Sequence, residues 1–315
     1  MTLMETLNRA AEQAAAGIEA QMRAHESLAL HTTYRVGGPA ELFVHAESAA
    51  AMVAGWRWAN ARGIPCTLLG GGSNVIVSDR GIAGLVIKHR TTVLPPLPDL
   101  LSHDELIVDI DAALVLARLS VWTVRHGWRG LEWAGGIPGT MAGAVIQNAG
   151  AHGGQLSDSL LDVTVLTPGG AIEVWLPNQL DLRYRHSIWR APTNEPLPQI
   201  CSLRLRLKRA DPAMLQAAVE HGQAYRRLTQ PRGASAGSVF KNPSGDYAGR
   251  LLDQCGLKGT RAGGAVISTV HANWIINETG HATAADILEL ARLAHDTVAR
   301  EYGVTLQMEQ QVIGR

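Results

Sequence analysis

Apolar residues return along the chain with two different periods. Over residues 3–24, Leu3, Leu7, Ala10, Ala11, Ala14, Ile18 and Met22 recur at helical spacing with Glu, Gln and Arg between them, which predicts an N-terminal helix. From Leu28 the texture turns to short β-branched and aromatic runs. Residues 32–36, 41–45, 67–69, 75–77, 85–88 and 106–110 read as strands, and 49–62 as an Ala/Trp-rich helix stopped by Gly63 and Pro65. Residues 115–126 predict another helix, closed by Gly127. Residues 130–154 are too glycine-rich for either period to show. Strands are predicted at 161–166, 172–175 and 199–207. The pattern shifts at Asp211-Pro212, where a helix over 213–227 begins. Beyond it come a helix at 248–255, strands at 265–267 and 274–277, and a terminal strand over 305–313. The clearest helix is 283–302, with Ala284, Ile287, Leu288, Ala291, Ala294 and Val298 on one face. The chain therefore divides near 211.

Composition narrows the class. The 315 residues are 46% apolar, enough for a sizeable core in two domains or one large one. Lys+Arg and Asp+Glu both number 28, so no global charge favours nucleic acid or an anionic membrane. Cys66, Cys201 and Cys255 are scattered with no CxxC pair, which predicts buried reduced thiols. Glu5 and Glu12 interrupt any leader pattern, and no apolar run approaches the ~20 residues of a membrane helix, so a soluble cytoplasmic protein is expected. The twelve His form neither HExxH nor a compact cluster, and no metal site is expected. Eight Trp against two Phe is unusual.

Two glycine-rich segments carry the first chemical signal. In Gly70-Gly71-Gly72-Ser73-Asn74, successive small residues let backbone N–H groups converge on phosphate oxygens. The strand-like Val75-Ile76-Val77 follows where a dinucleotide fingerprint or P-loop needs a helix, so both are disfavoured. A tight structural hairpin and a strand–loop–strand phosphate nest both remain open. The second segment is Gly135-Gly136-Ile137-Pro138-Gly139-Thr140-Met141-Ala142-Gly143-Ala144 with Asn148-Ala149-Gly150-Ala151. So many Gly and Ala imply that something lies against this backbone, either another element or a flat ligand. Two such segments favour a large cofactor with a phosphate-bearing body. Gly233-Ala234-Ser235-Ala236-Gly237 fits G-x-S-x-G, but Pro231 before it and Pro243 after it deny the strand and helix of a nucleophile elbow. Ser238 is a turn residue or a site residue. Arg185, in Tyr184-Arg185-His186-Ser187, is a solvated surface charge or an anion ligand. Glu309 is an edge charge or a site residue.

The order and spacing of these segments resemble the UDP-N-acetylenolpyruvoylglucosamine reductase family, from about Leu30 to Gly314. The carrying residues are His31-Thr32-Thr33-Tyr34-Arg35-Val36-Gly37-Gly38, the 70–74 run, Ile137-Pro138-Gly139-Thr140, Asn148–Ala151 and Tyr184–Ser187. In the C-terminal part they are Ala236-Gly237-Ser238-Val239-Phe240-Lys241-Asn242-Pro243 and Leu306–Gly314. The resemblance implies an α+β fold: a two-lobed FAD-binding domain of the vanillyl-alcohol-oxidase-like (PCMH) type plus a C-terminal α+β substrate domain. The implied division is an N-terminal helix at 1–30, the FAD domain at 31–211 and the substrate domain at 212–315. The Pro-rich stretch 95–98 falls in a connection within the FAD part. The spacing matches the shorter family type, which lacks an extra tyrosine-bearing loop.

The implied reaction reduces the enolpyruvyl ether of a UDP-sugar to the lactyl ether, giving UDP-N-acetylmuramate for peptidoglycan, with FAD and NADPH. By motif, Arg185 binds the substrate carboxylate, Ser238 donates the proton and Glu309 completes the triad. Tyr34, Arg35, Gly70, Gly71, Gly72, Ser73, Asn74, Gly136, Ile137, Pro138, Gly139, Thr140, Gly143, Asn148, Ala149 and Gly150 fall at cofactor positions. Tyr184, Arg226, Lys241 and Asn242 fall at substrate positions. Met308 stands where the family usually has proline, and Gln310 and Gln311 are also less usual. The expected partner is the UDP-sugar alone, with no nucleic acid and no membrane, and the expected state is a monomer. An FAD oxidase of the same superfamily acting on a small alcohol or carbohydrate is the alternative, and a non-catalytic flavin or sugar-nucleotide binder is a third reading.

Overall fold

The computed structural model describes residues 3–96, 104–193 and 195–315. Leu97 and Pro98 of the Pro-rich stretch lie outside the described residues. The chain opens with α1 (Leu3–Ala15) and continues through β1 (Arg23–Ser27), β2 (Pro39–Ala46), α2 (Ala49–Asn60), β3 (Cys66–Leu69), β4 (Val75–Val77) and β5 (Ile82–His89). Then follow β6 (Glu105–Asp111), α3 (Leu116–Arg125), β7 (Trp128–Arg129), α4 (Met141–Gln147), β8 (Gly150–Ala151), β9 (Gly154–Gln155), β10 (Leu160–Leu166), β11 (Ile172–Trp175) and β12 (Gln199–Arg209). The last part holds α5 (Pro212–Thr229), α6 (Ala248–Gln254), β13 (Arg261–Ala262), β14 (Ala265–Ile267), β15 (Ile275–Asn277), α7 (Ala284–Tyr302) and β16 (Gln311–Ile313).

Two compact units result, and neither is one continuous stretch of sequence. The first comprises Met1–Met22, Val44–Gly71 and Val86–Ala224; the second comprises Arg23–Phe43, Gly72–Leu85 and Tyr225–Arg315. In the first, β11, β10, β12 and β6 form an antiparallel sheet in that order, with β7 also on β12. Inward positions of β12 alternate as the pleat requires: Leu203, Leu205 and Leu207 are buried, while Arg204 and Arg206 face out. Asp162 is buried directly opposite Arg204 and takes a bidentate ion pair from it.

The tryptophans build this unit. Trp122, Trp128 and Trp133 are buried in its core, and Trp175 and Trp189 pack against them. Three of the ring nitrogens donate locally: Trp133 Nε1 to the Gly130 carbonyl at 2.9 Å, Trp189 Nε1 to the Pro198 carbonyl at 2.6 Å and Trp175 Nε1 to Glu173 Oε2 at 2.8 Å. The Trp excess thus replaces the missing Phe as aromatic core volume.

The second unit is closed by the end of the chain. β16 lies parallel to β4, with Gln311, Val312 and Ile313 opposite Val75, Ile76 and Val77. β13, β14 and β15 form a small antiparallel sheet, and α7 packs on it through Ile287, Leu290, Ala291 and Val298. Thr283 and Asp286 form a reciprocal capping box at the start of α7, and Gly303 ends the helix in the left-handed region.

Four elements depart from the sequence expectation. The N-terminal helix stops at Ala15, and Arg23–Ser27 is an edge strand on β2. Its residues are polar and mostly exposed, so it carries no apolar period. Residues 32–36 are a turn, not a strand, because Arg35 sits at φ +57° while Tyr34 is buried completely. A helix, α4, occupies the middle of the glycine-rich run. The terminal strand is only Gln311–Ile313; Gln310 is a bend, so Gln307, Glu309 and Gln311 do not share one regular strand face.

Asp79 joins the β4–β5 turn to α7. Its carboxylate accepts from the Ala284 N–H at 2.7 Å and the Ala285 N–H at 3.0 Å, two donors that no intrahelical carbonyl can reach. Asp79→Ala is expected to cost about 1–2 kcal/mol by urea unfolding. Unchanged stability would show that water satisfies these groups equally well.

Candidate functional site

Each unit brings together residues that are far apart in sequence. In the first, the two glycine-rich segments meet. A Cβ on Gly70 would stand 2.7 Å from Thr140 Oγ1, and one on Gly71 would stand 2.9 Å from Gly139 Cα. Glycine is therefore favoured at both positions by close approach within the protein, of the Thr140 side chain at Gly70 and of the Gly139 backbone at Gly71. Thr140 is buried, and its hydroxyl accepts from the Gly143 N–H at 3.4 Å at the start of α4. Ile137 and Ala149 rest on the core of this unit.

The loop itself leaves its donors unspent. Among the described residues, the backbone N–H groups from Gly70 to Asn74 donate to no other group of the protein. Two of the loop's carbonyls, by contrast, are used: Gly72 O accepts from the Thr33 N–H at 3.0 Å, and Asn74 O accepts from the Gln311 N–H at 3.0 Å. A row of free N–H groups on a loop of small residues can cradle an anion. The donor set suits the diphosphate of a dinucleotide, so FAD fits the residues present. Gly136 at φ +85° and Gly139 at φ +113° shape the opposing wall.

Arg185 also belongs to the first unit. It lies in a tight turn at φ +50°, beside exposed Tyr184, whose ring its guanidinium approaches to 5.4 Å. Its Nη2 donates to the Gly150 carbonyl at 2.9 Å. Asn148 organises both segments. Its side chain donates to Gln155 Oε1 at 3.2 Å and to the Arg183 carbonyl at 3.3 Å, and accepts from the Ser157 N–H at 3.1 Å. The Asn148 side chain is thus committed to holding the turn before Arg185 and the β8–β9 hairpin. Ser187, fully buried, ties the far side of that turn to the Ile146 carbonyl at 2.7 Å.

In the second unit Ser238 and Glu309 are neighbours through their backbones. Glu309 N–H donates to Val239 O at 2.8 Å, and Lys241 N–H donates to Gln307 O at 2.9 Å. These bonds flank an antiparallel bridge between Phe240 and Met308. Met308 sits in the centre of that bridge and packs on the apolar core, so the backbone there is held although proline is missing. Ser238 is half-buried, and neither its N–H nor its hydroxyl has a partner among the described residues. Asn74 Nδ2 donates to the Glu309 carbonyl at 3.0 Å, which ties the Gly72–Asn74 part of the loop to the Glu309 segment.

The other predicted residues are spread around these. Tyr34 is fully buried with its hydroxyl 3.1 Å from Gln310 Oε1, and Arg35 beside it is exposed. Burial pushes the Tyr34 phenol well above its ordinary range. Asn242 Oδ1 accepts from the Ala248 N–H at 3.1 Å where α6 begins. Arg226, at the end of α5, is half-buried, and burial lowers its guanidinium pKa from the ordinary value.

Sequence reasoning missed three amides. Asn273 clamps Phe240, accepting from its N–H at 2.9 Å and donating to its carbonyl at 2.8 Å. Asn277 donates to the Tyr34 carbonyl at 3.0 Å and accepts from the Ala282 N–H at 3.0 Å. Gln310 reaches the segment just before Ser238. Only Gln310 left a signal in the sequence, as an unusual residue next to Glu309.

Among the described residues no three His, Cys, Asp or Glu side chains are grouped to hold a metal ion, and no helix is long and apolar enough to cross a membrane. Residues 40–174 match the FAD binding domain family, and residues 229–313 match the UDP-N-acetylenolpyruvoylglucosamine reductase, C-terminal domain family. A UDP-N-acetylenolpyruvoylglucosamine reductase of Chloroflexus aggregans is 40% identical over 93% of this chain and 97% of its own. One of Anoxybacillus flavithermus is 39% identical over 99% of this chain and 100% of its own. The crystal structure of the Thermus caldophilus reductase superposes with a TM-score of 0.74 at 35% identity, covering 92% of this chain and 99% of that one. With whole-length relatives of one kind and both of their characteristic domains in order, this chain belongs to the UDP-N-acetylenolpyruvoylglucosamine reductase family and is an FAD-containing oxidoreductase of that type.

Proposed function

We propose that this chain reduces the enolpyruvyl group of UDP-N-acetylglucosamine enolpyruvate to the lactyl ether of UDP-N-acetylmuramate, with NADPH as the electron source. The observation that carries the reading is Ser238: a hydroxyl with no protein partner, on a loop held to the backbone of Glu309. Whole-length reductase relatives support the same reading over a superfamily oxidase.

FAD, when bound, supplies the hydride that adds to C3 of the enolpyruvyl group and is replenished from NADPH. The electron pair displaced from the double bond collects at C2 and spreads into the carboxylate. Arg185, fixed by Gly150 and its turn, offsets that charge through a bidentate contact with the carboxylate. Ser238 gives its hydroxyl proton to C2. A serine hydroxyl is a weak acid, but the acceptor is a carbanion-like carbon, so the transfer runs downhill. Lys241, three residues on, offsets the alkoxide left behind, and Glu309 helps stabilise the developing charge. Arg226 is a cation for the sugar diphosphate, with Tyr184 and Asn242 completing the substrate contacts. Residues 31–211 chiefly serve FAD and residues 212–315 the sugar nucleotide. The enzyme works as a cytoplasmic monomer.

The purified protein is expected to be yellow and to lose its colour to the supernatant on acid precipitation, as non-covalent flavin does. A colourless protein that takes up no FAD would sink the reading. For Ser238→Ala, NADPH should still bleach the flavin under anaerobic conditions, while reoxidation by the enolpyruvyl sugar nucleotide slows at least ~100-fold. Normal reoxidation in that variant removes Ser238 as the donor.

Gly71→Val tests the cradle. Its Cβ has no room beside Gly139, so the loop must move and its N–H groups lose their common direction. Gel-filtered Gly71→Val is expected to retain little flavin at a concentration where wild type stays saturated. Full retention would place the diphosphate elsewhere.

A further inference from the structure

Three hydrogen bonds converge on the Gln310 side chain. Its Oε1 accepts from the Tyr34 hydroxyl at 3.1 Å. Its Nε2 donates to the Ala236 carbonyl at 3.3 Å and to the Gly237 carbonyl at 3.2 Å. Gln310, Tyr34 and Ala236 are all buried, at 3%, 0% and 3% exposure. The amide can be oriented only one way. Two backbone carbonyls can only accept, so the NH2 must face them and the oxygen is left for the phenol. Burial keeps the phenol protonated, so Tyr34 is a donor throughout the working pH range. The side chain of Gln310 is therefore locked by both ends.

What it locks is the residue before Ser238. Gly237 sits at φ +77°, and a Cβ built there would meet nothing within 4 Å. Neither a side chain nor a close neighbour limits rotation at this position. Glycine's wide conformational range would let the peptide plane between Gly237 and Ser238 turn over. In a trans peptide the carbonyl and the following N–H point opposite ways in one plane. Fixing the Gly237 oxygen thus fixes the Ser238 N–H and the direction in which the Ser238 side chain leaves the backbone. On the other side of Ser238 the chain is already pinned. Val239 N–H donates to the Asn273 carbonyl at 2.9 Å, Val239 O accepts from Glu309 N–H, and Asn273 clamps Phe240. Ser238 is the one residue between two held peptide planes, and Gln310 holds the first.

We propose that Gln310 is a positioning residue for proton donation: by pinning the Gly237 carbonyl it sets the direction of the Ser238 hydroxyl. The inference rests on the reading of Ser238 as the proton donor. It also gives the unusual residue beside Glu309 a task. Gln310 couples the two segments that carry the proposed donor and carboxylate, because its backbone follows Glu309 and its amide holds the peptide leading into Ser238. A donor displaced by about 1 Å loses on the order of a hundredfold in rate, whereas hydride entry from NADPH does not involve this proton.

The test separates the two half-reactions. In Gln310→Leu, a change of similar volume, the Gly237 and Ala236 carbonyls lose their donor and the Tyr34 hydroxyl its acceptor. Flavin reduction by NADPH should stay within ~2-fold of wild type, while reoxidation by the enolpyruvyl sugar nucleotide slows ~30-fold or more. Leu290→Ala, in the core of α7, serves as a destabilised control with both half-reactions unchanged well below its melting midpoint. Gln310→Asn keeps the amide but is one methylene short; it carries the same comparison if the Leu variant does not fold, with reoxidation expected ~10-fold slower. Reoxidation no slower than in Leu290→Ala, or an equal fall in both half-reactions, overturns the positioning role. If the wild-type flavin is itself not reoxidised by this substrate, the functional reading falls first and takes this inference with it. That result is visible before any substitution is made.

Discussion

The parallel pairing of β16 with β4 is the constraint on which the second unit depends. Among the described residues Val75–Val77 pairs with the last strand, Gln311–Ile313, in a two-stranded sheet. The pairing extends past its three residues: Gln311 N–H bonds Asn74 O, and Ser78 N–H bonds Ile313 O at 2.9 Å. Ser78 Oγ also donates to the Arg315 carbonyl at 2.7 Å. Glu309 and Gln310 stand just before this strand, so their positions are fixed by residues more than 230 positions earlier. Such contacts carry a large loop-closure cost before they return any stability. The candidate proton-donor loop therefore depends on contacts of high sequence separation. It cannot exist in a chain that lacks its final ten residues, even though Ser238 lies far upstream.

Around the candidate site, side-chain amides do what a sheet ladder does elsewhere. Asn273 reproduces both hydrogen bonds of a neighbouring strand on Phe240, Asn277 joins the Tyr34 carbonyl to the Ala282 N–H, and Asn148 joins three segments of the first unit. Irregular loops have backbone groups that no ladder reaches, and burying them unpaired would cost about 1–3 kcal/mol each. An amide offers two donors and an acceptor in one plane and carries no charge, so it satisfies such groups without the desolvation cost of an ion. Because each of these amides is held by the protein at both its oxygen and its nitrogen, it restricts movement. Ser238, whose hydroxyl is left free, is the exception within this rigid surround.

Much of the fold was legible from periodicity, and the failures have physical causes. α7 announced itself through its apolar face. Residues 32–36 looked like a strand because they are β-branched and aromatic, but Arg35 turns left-handed so that Tyr34 can be buried, and no period records a single φ. α4 was hidden because it is only seven residues long and lies inside a glycine-rich run that shows no apolar period. The family was legible in the motifs, since their order along the chain is specific. Their groupings were not. Nothing in the sequence says that Gly70 and Gly71 face Thr140 and Gly139, or that a glutamine beside Glu309 reaches back to Gly237. Those are contacts between segments, and a one-dimensional pattern carries them only when both partners are unusual.

The question the sequence left open about the glycines has two answers, one for each kind of backbone group. The missing Cβ atoms at Gly70 and Gly71 are explained by another element of the protein, because Gly139 and Thr140 occupy that space. The N–H groups from Gly70 to Asn74 are not explained by the protein, because none of its described acceptors meets them. Glycine at 70, 71 and 72 leaves no side chain beside those donors, so an anion that bound there would meet the backbone directly. A diphosphate replaces hydrating water with acceptors of full charge, and each such bond is stronger than one between neutral groups. Binding to the native state alone then stabilises it by linkage. In the proposed reading the glycine pair and the free donors act together: packing against Gly139 and Thr140 fixes the start of the loop, and the donors it leaves unspent would take the diphosphate.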